Sequence, residues 1–421
     1  MGFTTLNLDP KIAAGIRSLG YAAPTPIQQQ SIPPILQGRD VLGLAQTGTG
    51  KTAAFAVPIL QRLLQGPRGR VRALVLAPTR ELADQIQESF RALGAQTGLR
   101  CQTVYGGVGM GPQVSNLRRG VELVVACPGR LLDHLERGTI DLSRLEVLVL
   151  DEADRMFDMG FLPGIRQILK RLPAKRQTLL FSATMPADIR GLAHEVLKDP
   201  VTVQVDHTVP LTTVAHALYP VAEHLKTDLL VRLLQLAGEG SVLVFMRTKH
   251  RAKRLAQRLQ EQGRSVTCLQ GNLSQNRRKE ALEGFRDGRY AVLVATDIAS
   301  RGIDVSQITH VINYDVPDTT EAYTHRIGRT GRAARTGDAF TLVTRDDEAM
   351  VRDIERALGS KIARRTVASF DYAGQPAPAP PRSHAPAHAR HAPRPAAPAV
   401  KTASGFRGRF GRSGFRTRRR R

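Results

Sequence analysis

A chain of 421 residues is too long for one ordinary domain and suits two or three. With 42% apolar and 23% charged residues it can bury proper cores, while 61 Lys and Arg against 37 Asp and Glu leave a net charge of +24. That balance excludes an acidic scaffold and points to a polyanionic partner, either nucleic acid or an anionic membrane surface.

The start, Met1 to Asn7, has no basic stretch followed by an apolar one, so no secretory leader is expected. No apolar run reaches the ~18 residues of a membrane span. Cys101, Cys127 and Cys268 lie far apart and form no CxxC pair. These features suggest a cytoplasmic protein with reduced thiols.

Along the chain, short Val- and Leu-rich runs alternate with longer helical stretches. They fall at 41–44, 74–77, 123–126, 147–150 and 178–181, and, after a pause near Asp206–Pro210, at 242–245, 266–269, 292–295, 311–313 and 340–343. This is the βαβ rhythm of a parallel sheet covered on both faces. The expected fold class is α/β, with an N-terminal domain over 1–205, a linker over 206–216 and a second domain over 217–371.

Directly after the first run comes Ala45-Gln46-Thr47-Gly48-Thr49-Gly50-Lys51-Thr52. The glycines let backbone N–H groups turn inward on phosphates, and the helix that follows adds its dipole. Lys51 can reach the β- and γ-phosphates of a nucleotide, and the Thr52 hydroxyl can sit on Mg²⁺. The run at 147–150 leads straight into Asp151-Glu152-Ala153-Asp154, carboxylates at the end of a buried strand. Asp151 is expected to hold Mg²⁺ and Glu152 to act as general base on the attacking water.

The last segment, 372–421, has twelve Lys or Arg, eight Pro and no Asp or Glu, half of the net charge. Such a composition cannot bury enough apolar surface to offset its ordering entropy, so a disordered basic tail is expected. Its Phe406, Phe410 and Phe415, set among arginines, could stack on unpaired bases while the charges follow phosphates.

Together these strings resemble the DEAD-box ATP-dependent RNA helicases of superfamily 2. The resemblance runs in order over residues 3–332. Phe3 and Gly20–Gln28 resemble the Q motif, Pro78–Leu82 motif Ia, Gly106-Gly107 the glycine pair, Ser182-Ala183-Thr184 motif III, Ala295–Asp304 motif V, and His325–Arg332 motif VI. The compact core with a basic tail looks most like the bacterial RhlE type.

The resemblance implies two tandem RecA-like domains and an ATPase stimulated by RNA, with ATP and Mg²⁺ as cofactors. Gln28 would read the adenine edge, with Tyr21 or Phe3 as a stacking partner, and Asp304 would hold the ribose. Arg329 and Arg332 match the fingers that approach the γ-phosphate from the second domain, so hydrolysis would require the domains to close. Arg80, Gly106, Gly107, Gly129, Arg130, Arg278, Thr296 and Gly302 match backbone contacts to RNA. Asp154, Ser182, Thr184 and His325 would couple the acidic motif to the closed interface. The implied activity is local unwinding of short RNA duplexes or remodelling of RNA–protein complexes. The alternatives are an ATP-gated RNA clamp and an RNA chaperone with little unwinding. RNA is the expected partner, with the tail as a tether and ribosomal or RNA-decay proteins as further candidates. One residue departs from the pattern: motif Ib usually begins with Thr, and here it begins with Cys127.

Overall fold

The apolar runs become parallel strands. In this computed structural model, residues 2–46, 48–205, 214–238, 240–297, 308–330 and 337–374 are described. The first sheet contains β1 (Val41–Leu44), β2 (Ala73–Leu76), β3 (Cys101–Val104), β4 (Leu123–Ala126), β5 (Val147–Leu150), β6 (Gln177–Ser182) and β7 (Val201–Gln204). Their order across the sheet is β3-β4-β2-β5-β6-β1-β7. The second contains β8 (Val214–Pro220), β9 (Ser241–Met246), β10 (Val266–Leu269), β11 (Val292–Thr296), β12 (Ile308–Asn313), β13 (Gly337–Val343) and β14 (Ala363–Arg364). Their order is β10-β11-β9-β12-β13-β8-β14. We call the parts built on the two sheets the first and second lobes.

Continuous apolar runs suit these strands because both sheet faces are covered. In β5, Val147 and Val149 join a core with Phe55, Ile86 and Phe181, while Leu148 and Leu150 join an opposite core with Ile165 and Leu192. Each fully buried Leu of this kind contributes roughly 1.5–3 kcal/mol. Parallel pairing brings the C-terminal ends of all the strands to one edge, and the loops carrying the motifs leave from there.

Four strands were not anticipated. β3 and β7 are short edge strands whose side chains are only partly buried, so they show no continuous apolar run. β8 starts at Val214, inside the stretch expected as linker, and pairs with β13. β14 pairs with β8 over only two residues. Beyond it, Val367, Phe370 and Tyr372 pack on the second core, and the His224 ring bonds the Gly374 carbonyl at 2.8 Å. The expected tail start at Tyr372 therefore falls within this packed segment. Residues 206–213 and 375–421, which include most of the expected linker and tail, lie outside the described residues.

Candidate active site between the lobes

The phosphate loop is shaped by two left-handed glycines, Gly48 at φ +86° and Gly50 at φ +93°. An L side chain is strained at such angles. Ala45 is buried and its N–H bonds the Ser182 carbonyl, which ties the loop to β6. The Thr49 hydroxyl donates to the Gln46 carbonyl at 2.8 Å. Lys51 opens the next helix and is 5% exposed, and its Nζ has no hydrogen-bond partner among the described residues. Thr52 follows it, half-buried. Thr47 lies outside the described residues.

Gln28 already spends part of the amide edge expected for adenine on the protein itself. Its Nε2 donates to the Gly50 carbonyl at 3.1 Å, and its Oε1 accepts from the Thr25 N–H at 3.0 Å. Gln28 therefore braces the phosphate loop from the Q motif. Tyr21 is exposed and stacks on Phe3, ring centres 6.4 Å apart.

The acids after β5 are deeply buried. Burial pushes the Asp151 carboxyl up to about 6, against the pull of Lys51; the charge of Glu152 adds to the rise. Asp154 Oδ2 accepts three bonds from motif III: Ala183 N at 3.2 Å, Thr184 N at 2.9 Å and Thr184 Oγ1 at 3.1 Å. Ser182 Oγ accepts from the Asp154 N–H at 3.2 Å and donates to the Thr184 carbonyl at 2.7 Å. The acidic motif and motif III are thus hydrogen-bonded to each other within the first lobe.

Both lobes line one small pocket of about 30 Å³. Gln46, Lys51, Glu152, Asp154, Arg155 and Ala183 come from the first lobe; Thr324, His325 and Gly328 come from the second. The space suits one or two waters. Burial, reinforced by the Arg155 charge, drives His325 down to about 4. Arg329 is 5% exposed and its charge also acts on His325. Arg332, Gly302 and Asp304 lie outside the described residues.

A second junction joins the lobes on the RNA-motif side. Arg80 Nη1 bonds Gln275 Oε1 at 3.4 Å, and Arg278 Nε bonds Glu81 Oε1 at 2.6 Å. Arg278, expected at RNA, is buried and committed to Glu81 and to the Gln270 carbonyl. Gly107 has φ +77° and lies so close to the Arg80 guanidinium that a β-carbon there would clash. Gly106 is half-buried beside it and Gly129 is exposed. Arg130 donates to the Val108 carbonyl at 3.1 Å, and Thr296 closes β11, 9% exposed.

Sequence reasoning missed Arg326, Arg155 and Glu81. Arg326 is 3% exposed, forms a two-point bond to Asp297 at 2.6 Å and lies over the Phe245 ring. It thereby fastens motif VI to motif V. Its position inside motif VI was a signal; the partner, 29 positions away, was not.

Among the described residues there is no group of three or more His, Cys, Asp or Glu suited to hold a metal. A nucleotide-bound Mg²⁺ needs fewer, since water and phosphates supply most of its ligands. Thr52 and Asp151 fit that need: the carboxyl is buried beside the unpartnered Lys51 Nζ. No helix among the described residues is long and apolar enough to cross a membrane.

A two-lobed α/β chain with a phosphate loop in one lobe and a pocket lined by both lobes beside it has the build of a nucleotide-dependent motor or switch. The DEAD/DEAH box helicase domain matches residues 25–192, and the helicase conserved C-terminal domain matches residues 225–334. The DEAD-box ATP-dependent RNA helicase CshA of Geobacillus kaustophilus is 43% identical over 374 residues, 88% of this chain and 79% of that protein. Yeast Dbp5 bound to RNA and ADP BeF3 superposes with a TM-score of 0.79 at 31% identity, covering 86% of this chain and 95% of that one. A DEAD box protein from Methanococcus jannaschii is 37% identical, covers 87% and 99%, and superposes with a TM-score of 0.52. The chain belongs to the DEAD-box family of ATP-dependent RNA helicases.

Proposed function

We propose that this helicase hydrolyses ATP when RNA draws its lobes together, and that closure locally opens short RNA duplexes or remodels RNA–protein complexes. The pocket lined by both lobes carries the reading: Lys51 and Glu152 on one wall, His325 and Gly328 on the other. Such a pocket exists only when the lobes meet, so chemistry there reports closure. The likeness in lobe arrangement to Dbp5, solved with RNA and ADP BeF3, supports a closed form.

In this reading Gly48, Gly50 and Lys51 cradle the phosphates, and Arg329 and Arg332 meet the γ-phosphate from the second lobe. Thr52 and Asp151 would hold Mg²⁺, which when bound neutralises developing phosphate charge. Glu152 takes the proton of the attacking water. Arg80, Gly106, Gly107, Gly129, Arg130, Thr296 and Gly302 follow the RNA backbone, giving little sequence preference. Opening a few pairs costs about 1.4 kcal/mol per stacked step, a DNA value. The 375–421 tail, rich in arginine, adds a sequence-independent tether. A cytoplasmic setting suits an enzyme of ATP and RNA.

The test is steady-state ATPase of the full chain without nucleic acid, with single-stranded RNA and with matched DNA. Stimulation by RNA alone, lost in Glu152→Gln, is the expected result. Equal rates in all three would overturn coupling of hydrolysis to RNA-driven closure.

A further inference from the structure

Glu152 has an unusual setting. It is one of three non-glycine residues with positive φ among those described, at φ 53° and ψ 52°, and it caps the helix Ala153–Asp158. Holding a long side chain in the left-handed region costs of order 1–3 kcal/mol. Its carboxylate is buried, and one oxygen, Oε2, meets Arg155 Nη1 at 2.8 Å; the two side chains are 4% and 6% exposed. The other oxygen, Oε1, is sealed from bulk solvent with no hydrogen-bond partner among the described residues, and both residues line the pocket between the lobes.

We propose that Arg155 is a positioning residue for hydrolysis, gripping Glu152 by Oε2 so that Oε1 is reserved for the attacking water. This rests on the reading of Glu152 as the base. During the step, the water oxygen bonds the γ-phosphorus and its proton passes to Glu152 Oε1. The bond from phosphorus to the β,γ-bridging oxygen breaks, and its electron pair leaves on ADP. Arg155 exchanges nothing. It fixes one rotamer of the base and balances its charge in a buried site.

Two features argue against a merely structural pair. A buried ion pair is poor evidence of stability, because desolvation offsets most of its attraction. Here, moreover, the pair sits at a strained residue that lines the pocket, and it leaves one carboxylate oxygen of that residue unsatisfied, where a packing role would have satisfied it. The i,i+3 spacing lets a single helical turn hold both groups.

The test uses the full chain as Arg155→Met, Arg155→Lys and Glu152→Gln. The expected result for Arg155→Met is an RNA-stimulated kcat lower by about 100-fold, the scale of a 1 Å misplacement. Its KM for ATP and its RNA affinity with a non-hydrolysable ATP analogue should stay near wild type when measured below its melting temperature, which should itself fall because Glu152 is left buried without its cation. Arg155→Lys should recover part of kcat. A kcat within twofold of wild type in Arg155→Met would overturn the proposal. So would a parallel loss of ATP affinity or RNA affinity, which would make Arg155 a nucleotide or closure contact, or an Arg155→Lys variant that regains stability without regaining kcat. If Glu152→Gln keeps full activity, the reading of the base itself fails; if only Glu152→Gln is impaired, the base stands and the role of Arg155 falls.

Discussion

Glu81 and Arg278 are 197 positions apart, yet their side chains meet at 2.6 Å across the junction of the lobes, both nearly sealed from solvent. Glu81 directly follows Arg80, which meets Gln275 one helical turn before Arg278 in the same junction. The first lobe's motif Ia and the second lobe's helix Gln275–Arg286 are therefore joined by a charge pair that closure must bury.

Glu81→Gln should weaken closure while leaving ATP binding to the first lobe intact. Removing one partner of a buried, hydrogen-bonded charge pair costs 2–5 kcal/mol, much of it from the partner left unpaired. At about 2 kcal/mol, the RNA concentration for half-maximal ATPase rises roughly 30-fold. A double change to Glu81→Gln and Arg278→Gln should cost less than the sum of the singles. An additive cycle would show that the two do not act together.

His325 makes closure depend on pH. In the closed form it titrates at about 4, chiefly through burial, with Arg155 and Arg329 opposing its charge and Asp154 and Glu152 favouring it. A histidine in water titrates near 6.5. Because the closed form resists protonation, this contribution to closure is complete above about pH 6.5 and is lost as pH falls through that value toward 4. The affinity for RNA with a non-hydrolysable ATP analogue should fall about tenfold from pH 8 to pH 5.5. His325→Asn should flatten that slope, whatever its absolute affinity. A slope unchanged in His325→Asn would assign the titration elsewhere.

The sequence exposed the two lobes and the first-lobe strings that line the pocket for a simple reason. Phosphate loop, acidic motif and motif III are contiguous strings at the ends of buried strands, so local pattern carries them. Arg278 was misjudged because its partner Glu81 is remote, and a surface arginine and a buried one look alike in sequence. The brace from Gln28 to the phosphate loop was not legible because nothing local reveals that the Gly50 carbonyl comes within reach of its amide. The edge strands β3 and β7 escaped because they are half-buried and carry Gln and Thr among their apolar residues.

Cys127 can be tested directly. It occupies the N-cap of the helix Pro128–Glu136 with extended backbone, φ −86° and ψ 137°, but its side chain makes no capping bond. Burial pushes the thiol up to about 12, so it stays protonated, and a thiol is a weak partner. Cys127→Thr should supply the missing cap, about 1 kcal/mol of stability, and change RNA affinity through the adjoining Gly129 and Arg130. RNA-free ATPase should not move. A large loss of RNA-free ATPase would refute the assignment of this loop to RNA.

The second lobe holds a buried cation whose removal should be costly. Lys226 is 2% exposed, with its Nζ 3.0 Å from Glu223 and 3.9 Å from both Asp315 and Asp347. Asp315 also holds Arg251 at 3.2 Å and the Arg247 N–H at 2.8 Å. Lys226→Met keeps most of the side-chain length but leaves the poorly hydrated carboxylates of Asp315 and Asp347 short of a cation, while the exposed Glu223 keeps Arg251. Breaking a buried pair in this way costs about 3–5 kcal/mol. Urea unfolding should therefore show the second-lobe transition at lower denaturant, while nucleotide binding to the first lobe persists until its own transition. A shift below about 1 kcal/mol would mean that Arg251 alone suffices to balance Asp315, and that the lysine contributes little beyond packing.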